Sequence, residues 1–304
     1  IENKEHVIYV WIDALLNYLT ALGYKQSDQK LFKKIWGDKK TEIVHLMSKE
    51  ITRFHCIYWP IMLKCLNVRE PSKVISHGWI VTKEGKMSKS LGNVVDPKKY
   101  LEEFGSDPLR YYLTKEINIE NDGVFSRDLF IGIFNNDLAN TYGNLVSRFI
   151  GMCIKFNNRI IKKENIKLDA ETSKLVKAMK NTFSHTKKFI NNFEINKLLK
   201  SILELGEIAN KYIEIMKPWN LAKENKTKEI NNFIFYLANV IRMITILLSP
   251  VLTNGTKKIV EQMNFNTKML KFSNILKFDL LNNHKISEKT EPIYMRIEIE
   301  KNKN

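Results

Sequence analysis

The chain has 304 residues, 44% of them apolar, enough for real cores and a prior for two domains. Its 49 Lys and Arg outnumber 33 Asp and Glu, for a formal net charge of +16. Such a surface suits a polyanion, either nucleic acid or an anionic membrane; a lysine-rich composition bias is the plain alternative. Cys56, Cys65 and Cys153 form no Cys-x-x-Cys pair, so neither a zinc site nor a disulfide framework is indicated. Scattered thiols fit a reducing cytoplasm. The apolar stretch 241–252 is broken by Arg242 and Pro250 and is too short to span a bilayer, and no signal peptide is evident. The chain opens on Ile1, almost directly on a strand-like pattern, which points to a fragment.

In chain order, the apolar run 7–12 predicts a buried strand. A helix over 14–22 should follow and stop at Gly23. Residues 43–47 predict a second strand, 51–66 a helix and 73–79 a third strand. Strand–helix–strand repetition argues for a parallel sheet with crossover helices. Ligands of such sheets sit beyond the carboxyl ends of the strands, which places the functional residues just after Ile12, Met47 and Ser76. A polar loop spans 83–95, and short helices are expected over 96–122. From Ser126 onward every strong pattern is helical, near 126–156, 171–190, 193–216, 227–248 and 254–264, which predicts a helical bundle. The tail 291–298 is neither helical nor low-complexity.

The most specific local signal is Lys86-Met87-Ser88-Lys89-Ser90, flanked by Gly85 and Gly92. Two lysines three apart on such a loop can converge on one anion, as flexible point charges suited to a phosphate that moves during reaction. Serines and loop amides add donors. A solvated basic loop is the ordinary alternative. The pentad resembles the second signature of class I aminoacyl-tRNA synthetases. The resemblance implies that Lys86 and Lys89 stabilise a pyrophosphate leaving group, and that the loop from Lys86 to Ser90, with His77, Gly78 and Trp79, binds ATP.

Residues 10–18, 45–60 and 77–93 together resemble the methionyl branch of that class. By that resemblance Trp11, Ala14, Tyr18, Ile51, His55 and Trp59 line a methionine pocket, and Glu50 binds the ATP ribose. The chemistry is consistent, because a thioether favours aromatic contacts. Ile51, His55 and Trp59 are spaced by four on one helix face, and Trp11, Ala14 and Tyr18 fall on one side of the expected strand-to-helix turn. Ordinary core packing and, for Glu50, a helix N-terminal acid are the alternatives. Two positions depart from the family: Ser48 stands where glycine is usual, and Leu15 where proline is frequent.

In the helical part, Asn140, Asn144 and Arg148 form a stripe spaced by four. Asn offers a donor and an acceptor to base edges, and Arg can pair with phosphate or stack on a base. Trp219, behind Pro218, can offer a flat face to an unstacked base. A capped or buried helix face and bundle packing are the alternatives. Both stretches resemble the family's anticodon-binding helices, and residues 292–298 resemble its returning peptide.

The resemblance therefore implies an α/β half of a class I Rossmann-like catalytic domain (1–82), a linking region with the signature loop (83–125), an all-α anticodon-binding bundle (126–280) and a C-terminal peptide returning toward the catalytic domain (281–304). It implies a methionine–tRNA ligase using ATP and Mg²⁺, with methionine and tRNA(Met) as substrates and no membrane partner. The first half of the nucleotide fold is not matched here; it is an expected partner, and zinc would belong only to the family's inserted domain. A non-catalytic tRNA-binding module is the alternative of a different class, and the retained lysine loop argues against it.

Overall fold

The structure, a computed structural model, describes residues 5–7, 9–87, 92–116, 119 and 121–298. The chain divides into two compact units, Ile1–Ile80 with Ile119–Gly123, and Val81–Asn118 with Val124–Asn304.

The first unit opens on helix α1 (Val10–Thr20), followed by α2 (Lys30–Ile35), strand β1 (Val44–Ser48), α3 (Trp59–Cys65) and β2 (Lys73–His77). The strand expected over 7–12 is not formed. Tyr9 is extended, the helix begins at Val10, and Ile8 lies outside the described residues. Unbroken apolar runs carry no period, so strand and helix are equally compatible with them. The burial of Leu15 and Leu19 at a spacing of four decides for the helix. Leu15 sits inside α1 on its buried face, where a proline would cost a helical hydrogen bond.

β1 and β2 pair in parallel, Val44 against Lys73 through Ser48 against His77. The helix expected over 51–66 is composite: a 3₁₀ turn at Lys49–Ile51, a π-helical stretch at Phe54–Tyr58, then α3. Pro60 has no N–H to give the carbonyl four residues back, and the wider winding before it absorbs that loss. The core of this unit is Leu15, Leu19, Trp36, Ile43, Trp59 and Leu63. Arg69 staples its rim by donating to the carbonyls of Ile35, Trp36, Asp38 and Thr41.

β3 (Ile80–Thr82) turns back into β4 (Gly85–Lys86) as a tight antiparallel hairpin. Then come α4 (Pro97–Phe104), α5 (Ser106–Glu116), β5 (Gly123–Val124) and α6 (Arg127–Ile133). A ten-residue π-helical stretch, Phe134–Gly143, joins α6 to α7 (Asn144–Asn157). The rest comprises β6 (Ile160–Ile161), α8 (Ala170–Asn191), α9 (Ile195–Met216), α10 (Pro218–Lys223), α11 (Thr227–Leu248), α12 (Thr253–Gln262) and β7 (His284–Lys285), which pairs with β6. The bundle thus carries a two-residue ladder within an otherwise helical architecture.

α11 is the axis of the bundle. It is the one helix among the described residues long and apolar enough to cross a membrane, and 94% of that window is buried inside the protein. Its bounds are those expected from the sequence, 227–248. In its C-terminal third Arg242 is fully buried and donates to the carbonyls of Met269, Asn274, Ile275 and Lys277. The tail follows α5, α12 and the π stretch. Tyr294 donates to Asp107 Oδ2, and Asn135 exchanges two hydrogen bonds with the backbone of Ile297. Asp107 also accepts the N–H groups of Asn254 and Gly255 and so caps α12 from another helix.

Candidate functional site: an aromatic pocket, a lysine hairpin and a polar helix face

In the first unit, α1 and the winding 49–65 bring the expected pocket residues together. Trp11, Ala14 and Tyr18 share one face of α1, at i, i+3 and i+7, rather than a strand-to-helix turn. Trp11 stacks on Phe54 with centroids 4.1 Å apart and meets His55 edge-on at 6.1 Å. Ala14 is exposed and Ile51 half-buried, whereas His55 and Trp59 are buried.

Two histidines order this pocket. His55 Nδ1 lies 3.0 Å from the carbonyl of Ile51, which can only accept, so Nδ1 holds the proton. Nε2 is then an acceptor, and the Tyr18 hydroxyl donates to it. The Trp59 indole N–H donates likewise to Nε2 of His45 over 3.1 Å. Burial, with His55 close by, pushes His45 down to about 4, so its ring is neutral near pH 7. Burial also raises the Tyr18 phenol above its ordinary value, which keeps the donor protonated. His45 was not singled out in the sequence; its alternation with Met47 on the inner face of β1 is the signal that could have found it.

At the carboxyl ends of the strands, Thr52 and Ser76 join hydroxyl to hydroxyl at 2.8 Å. Glu50 is exposed, and His77 and Trp79 are half-buried. Gly78 must be glycine, because a Cβ there would lie 2.1 Å from the carbonyl oxygen of Asn121. The next residue, Asp122, accepts the Trp79 backbone N–H at 2.8 Å and pairs with Lys49 at 2.6 Å.

In the second unit, the β3–β4 hairpin presents the start of the lysine loop. Gly85 has φ +106°, a conformation that closes the turn and strains other residues. Lys86 is exposed and Met87 half-buried. Asn93 folds back to donate toward Thr82 Oγ1 and the Lys86 carbonyl, both at 3.4 Å. Ser88, Lys89 and Ser90 lie outside the described residues.

The polar stripe straddles the join between the π stretch and α7. Asn140 and Asn144 are exposed and Arg148 is half-buried. Arg148 reaches Asn210 and Glu214 on α9, and neither partner was evident in the sequence. Asn210 also donates to the carbonyl of Thr141, a group displaced by the π winding. Three residues after Glu214, the left-handed Lys217 turns the chain sharply. Pro218 is buried and Trp219 keeps 40% of its surface exposed.

Comparison with known proteins gives these three features a common origin. Residues 1–150 match the family model of class I tRNA synthetases of the M type, and 164–304 match the anticodon-binding domain of methionyl-tRNA ligase. The methionine–tRNA ligase of Ureaplasma parvum is 48% identical over 300 residues, covering 99% of this chain and 57% of the relative. That of Bacillus subtilis is 41% identical over 98% of this chain and 45% of its own length. The chain spans about half the length of the curated relatives it matches. Mycobacterium tuberculosis methionyl-tRNA synthetase in complex with methionyl-adenylate superposes with a TM-score of 0.86 at 28% identity, covering 97% of this chain and 57% of that one.

Proposed function

The chain belongs to the methionyl-tRNA synthetase family of class I tRNA synthetases, and from that premise we propose that it forms the methionine pocket, the lysine loop and the anticodon-reading face of a methionine–tRNA ligase. In the activation step, the methionine carboxylate oxygen forms a bond to the α-phosphorus of ATP, and the bond to the bridging oxygen breaks. Pyrophosphate leaves with that oxygen's electron pair, and methionyl-adenylate remains for transfer to tRNA(Met). No covalent intermediate on the protein is needed, so positioning and charge stabilisation carry the catalysis.

The aromatic cage is the observation that carries this reading. Trp11, Tyr18, His55 and Trp59 converge beside the neutral His45 ring, and both imidazoles are hydrogen-bonded, a soft surface for a thioether. Ala14 and Ile51 would complete its rim. Glu50 would take the ribose, and His77, Gly78 and Trp79 the adenine. Lys86 and Lys89, with Met87, Ser88 and Ser90 in the same loop, would take the phosphates. Mg²⁺ would travel with those phosphates, needing few protein ligands. Asn140, Asn144, Arg148, Pro218 and Trp219 would meet the anticodon.

The remainder of the same catalytic fold is the further partner we propose. Leu46, Ile57 and Ile61, all more than half exposed on the strand and helix that carry the pocket, support it. The cytoplasm is the proposed compartment, from three free thiols. The test is methionine-dependent exchange of labelled pyrophosphate into ATP by the complete protein. Exchange with methionine and little with leucine or isoleucine is expected; equal exchange with leucine would overturn the assignment.

A further inference from the structure

Asp122 stands 43 residues beyond Trp79 in sequence, yet it joins two turns that leave the carboxyl ends of the parallel strands. Lys49 is the first residue after β1, and its Nζ lies 2.6 Å from Asp122 Oδ1. Trp79 is two residues past β2, and its backbone N–H donates to the same oxygen at 2.8 Å. The Lys49 ammonium also sits 4.3 Å from the centre of the Trp79 ring, within cation–π range. The Trp79 carbonyl accepts from Gly123 at 2.8 Å, and Gly78 leaves room for the Asn121 carbonyl. The stretch 121–123 is therefore fastened to the turn after β2 by backbone and side chain alike. The carboxyl of Asp122 is held below its ordinary range, first by the Lys49 hydrogen bond and then by the Trp79 N–H.

We propose that Asp122 is a positioning residue for ATP: it holds Lys49 against the face of Trp79 and thereby fixes the spacing between the turn that presents Glu50 and the turn that presents His77 and Gly78. This rests on the reading of those two turns as the ribose and adenine edges of the nucleotide site. Glu50 follows Lys49 directly, and His77-Gly78 directly precedes Trp79, so each anchor is adjacent to the group it would orient. A single carboxylate oxygen bonded to both turns couples them. Without it, Lys49 loses its counter-charge, the Trp79 N–H loses its acceptor, and the two edges are free to separate.

The experiment is exchange kinetics in the complete synthetase, with ATP and methionine varied separately. Asp122→Ala and Lys49→Met should each raise the KM for ATP about tenfold, the scale of one charge-assisted hydrogen bond, and leave the KM for methionine within about twofold. The double variant should be no worse than either single, because both remove one linkage. Asp122→Glu should recover part of the loss, and Asp122→Asn, which keeps an acceptor for the Trp79 N–H, should fall between wild type and Asp122→Ala. Tryptophan emission gives a readout independent of turnover. Asp122→Ala should shift it, and the shift should vanish in a Trp79→Phe background. The inference is overturned if both KM values rise together, if the two losses multiply in the double variant, or if the KM for ATP does not move. Glu50→Ala separates the two levels. If it raises the KM for ATP while Asp122→Ala does not, only the positioning role fails. If neither variant moves it, the assignment of the nucleotide site fails as well.

Discussion

The Tyr18 hydroxyl donates to Nε2 of His55 across 2.8 Å and so ties α1 to the π-helical winding that follows β1. Tyr18→Phe deletes that donor and leaves a buried ring nitrogen unpaired. The expected outcome is a KM for methionine raised about tenfold in the complete enzyme, with the KM for ATP little changed. Steady-state exchange with each substrate varied in turn checks it. An unchanged methionine KM would mean that this pair supports the unit's core and does not shape the pocket.

His45 gives the first unit a dependence on acidity. Its ring is held near 4 when folded and near 6.5 when unfolded. The unfolded chain therefore binds more protons between these values, and stability falls as the pH drops through that window. The loss approaches a ceiling of about 3 kcal/mol near the lower end. Denaturant titrations at pH 7 and pH 4.5, followed by tryptophan emission, should show it. His45→Gln keeps an acceptor for the Trp59 indole and does not titrate, so its pH dependence should be flatter than that of the wild type.

Arg242 is a structural charge with five neighbouring acceptors, four of them backbone carbonyls and the fifth the side chain of Asn239. Burial lowers its guanidinium to about 10, still far above neutrality. Arg242→Met strips the donors from a segment, 269–277, that has little secondary structure of its own. A loss of about 3–5 kcal/mol in unfolding free energy is expected. Arg242→Lys should recover little of it, because one ammonium cannot replace the planar fork. Chemical denaturation of the three proteins decides this.

If the proposed anticodon face is right, Trp219→Ala should weaken binding of a CAU-bearing stem-loop by about 1–3 kcal/mol. A control hairpin should bind weakly and be released by salt in both proteins. Arg148 enters this test already engaged by Asn210 and Glu214. Titration of the two hairpins at two salt concentrations gives the answer. Equal binding of both by the wild type would assign Trp219 to packing alone.

The long helices α8, α9 and α11 were legible because each carries a sustained apolar period, and the parallel pairing of β1 with β2 followed from the strand–helix–strand order. Resemblance supplied Trp11, Ala14, Tyr18, Ile51, His55 and Trp59 as a set, and the four rings among them do converge. The run 7–12 misled because continuous apolarity has no direction: Tyr9, Val10 and Ile12 are largely exposed, and the helix takes its register from Leu15 and Leu19. Partners drawn from distant sequence were invisible for another reason. Nothing local marks Asp122 as the mate of Lys49, Glu214 as that of Arg148, or Asp107 as the cap of α12. The two π-helical stretches were likewise unreadable, since they show as a change of backbone winding and not as a residue type.

The π winding over Phe134–Gly143 also governs how this chain can tolerate change at the level of codons. Such a turn houses surplus residues relative to an α turn. Loss of one codon within it can be absorbed by reversion to ordinary winding, with Tyr142 still facing Thr245 and Arg148 still facing Glu214. The same loss within α7, upstream of Arg148, has no slack to draw on. It would swing the preceding residues about 100° around the axis relative to Arg148, so that Tyr142 and Arg148 could not both keep Thr245 and Glu214. Single-residue length variation should therefore collect in the ten residues before Asn144 and be purged from the four after it.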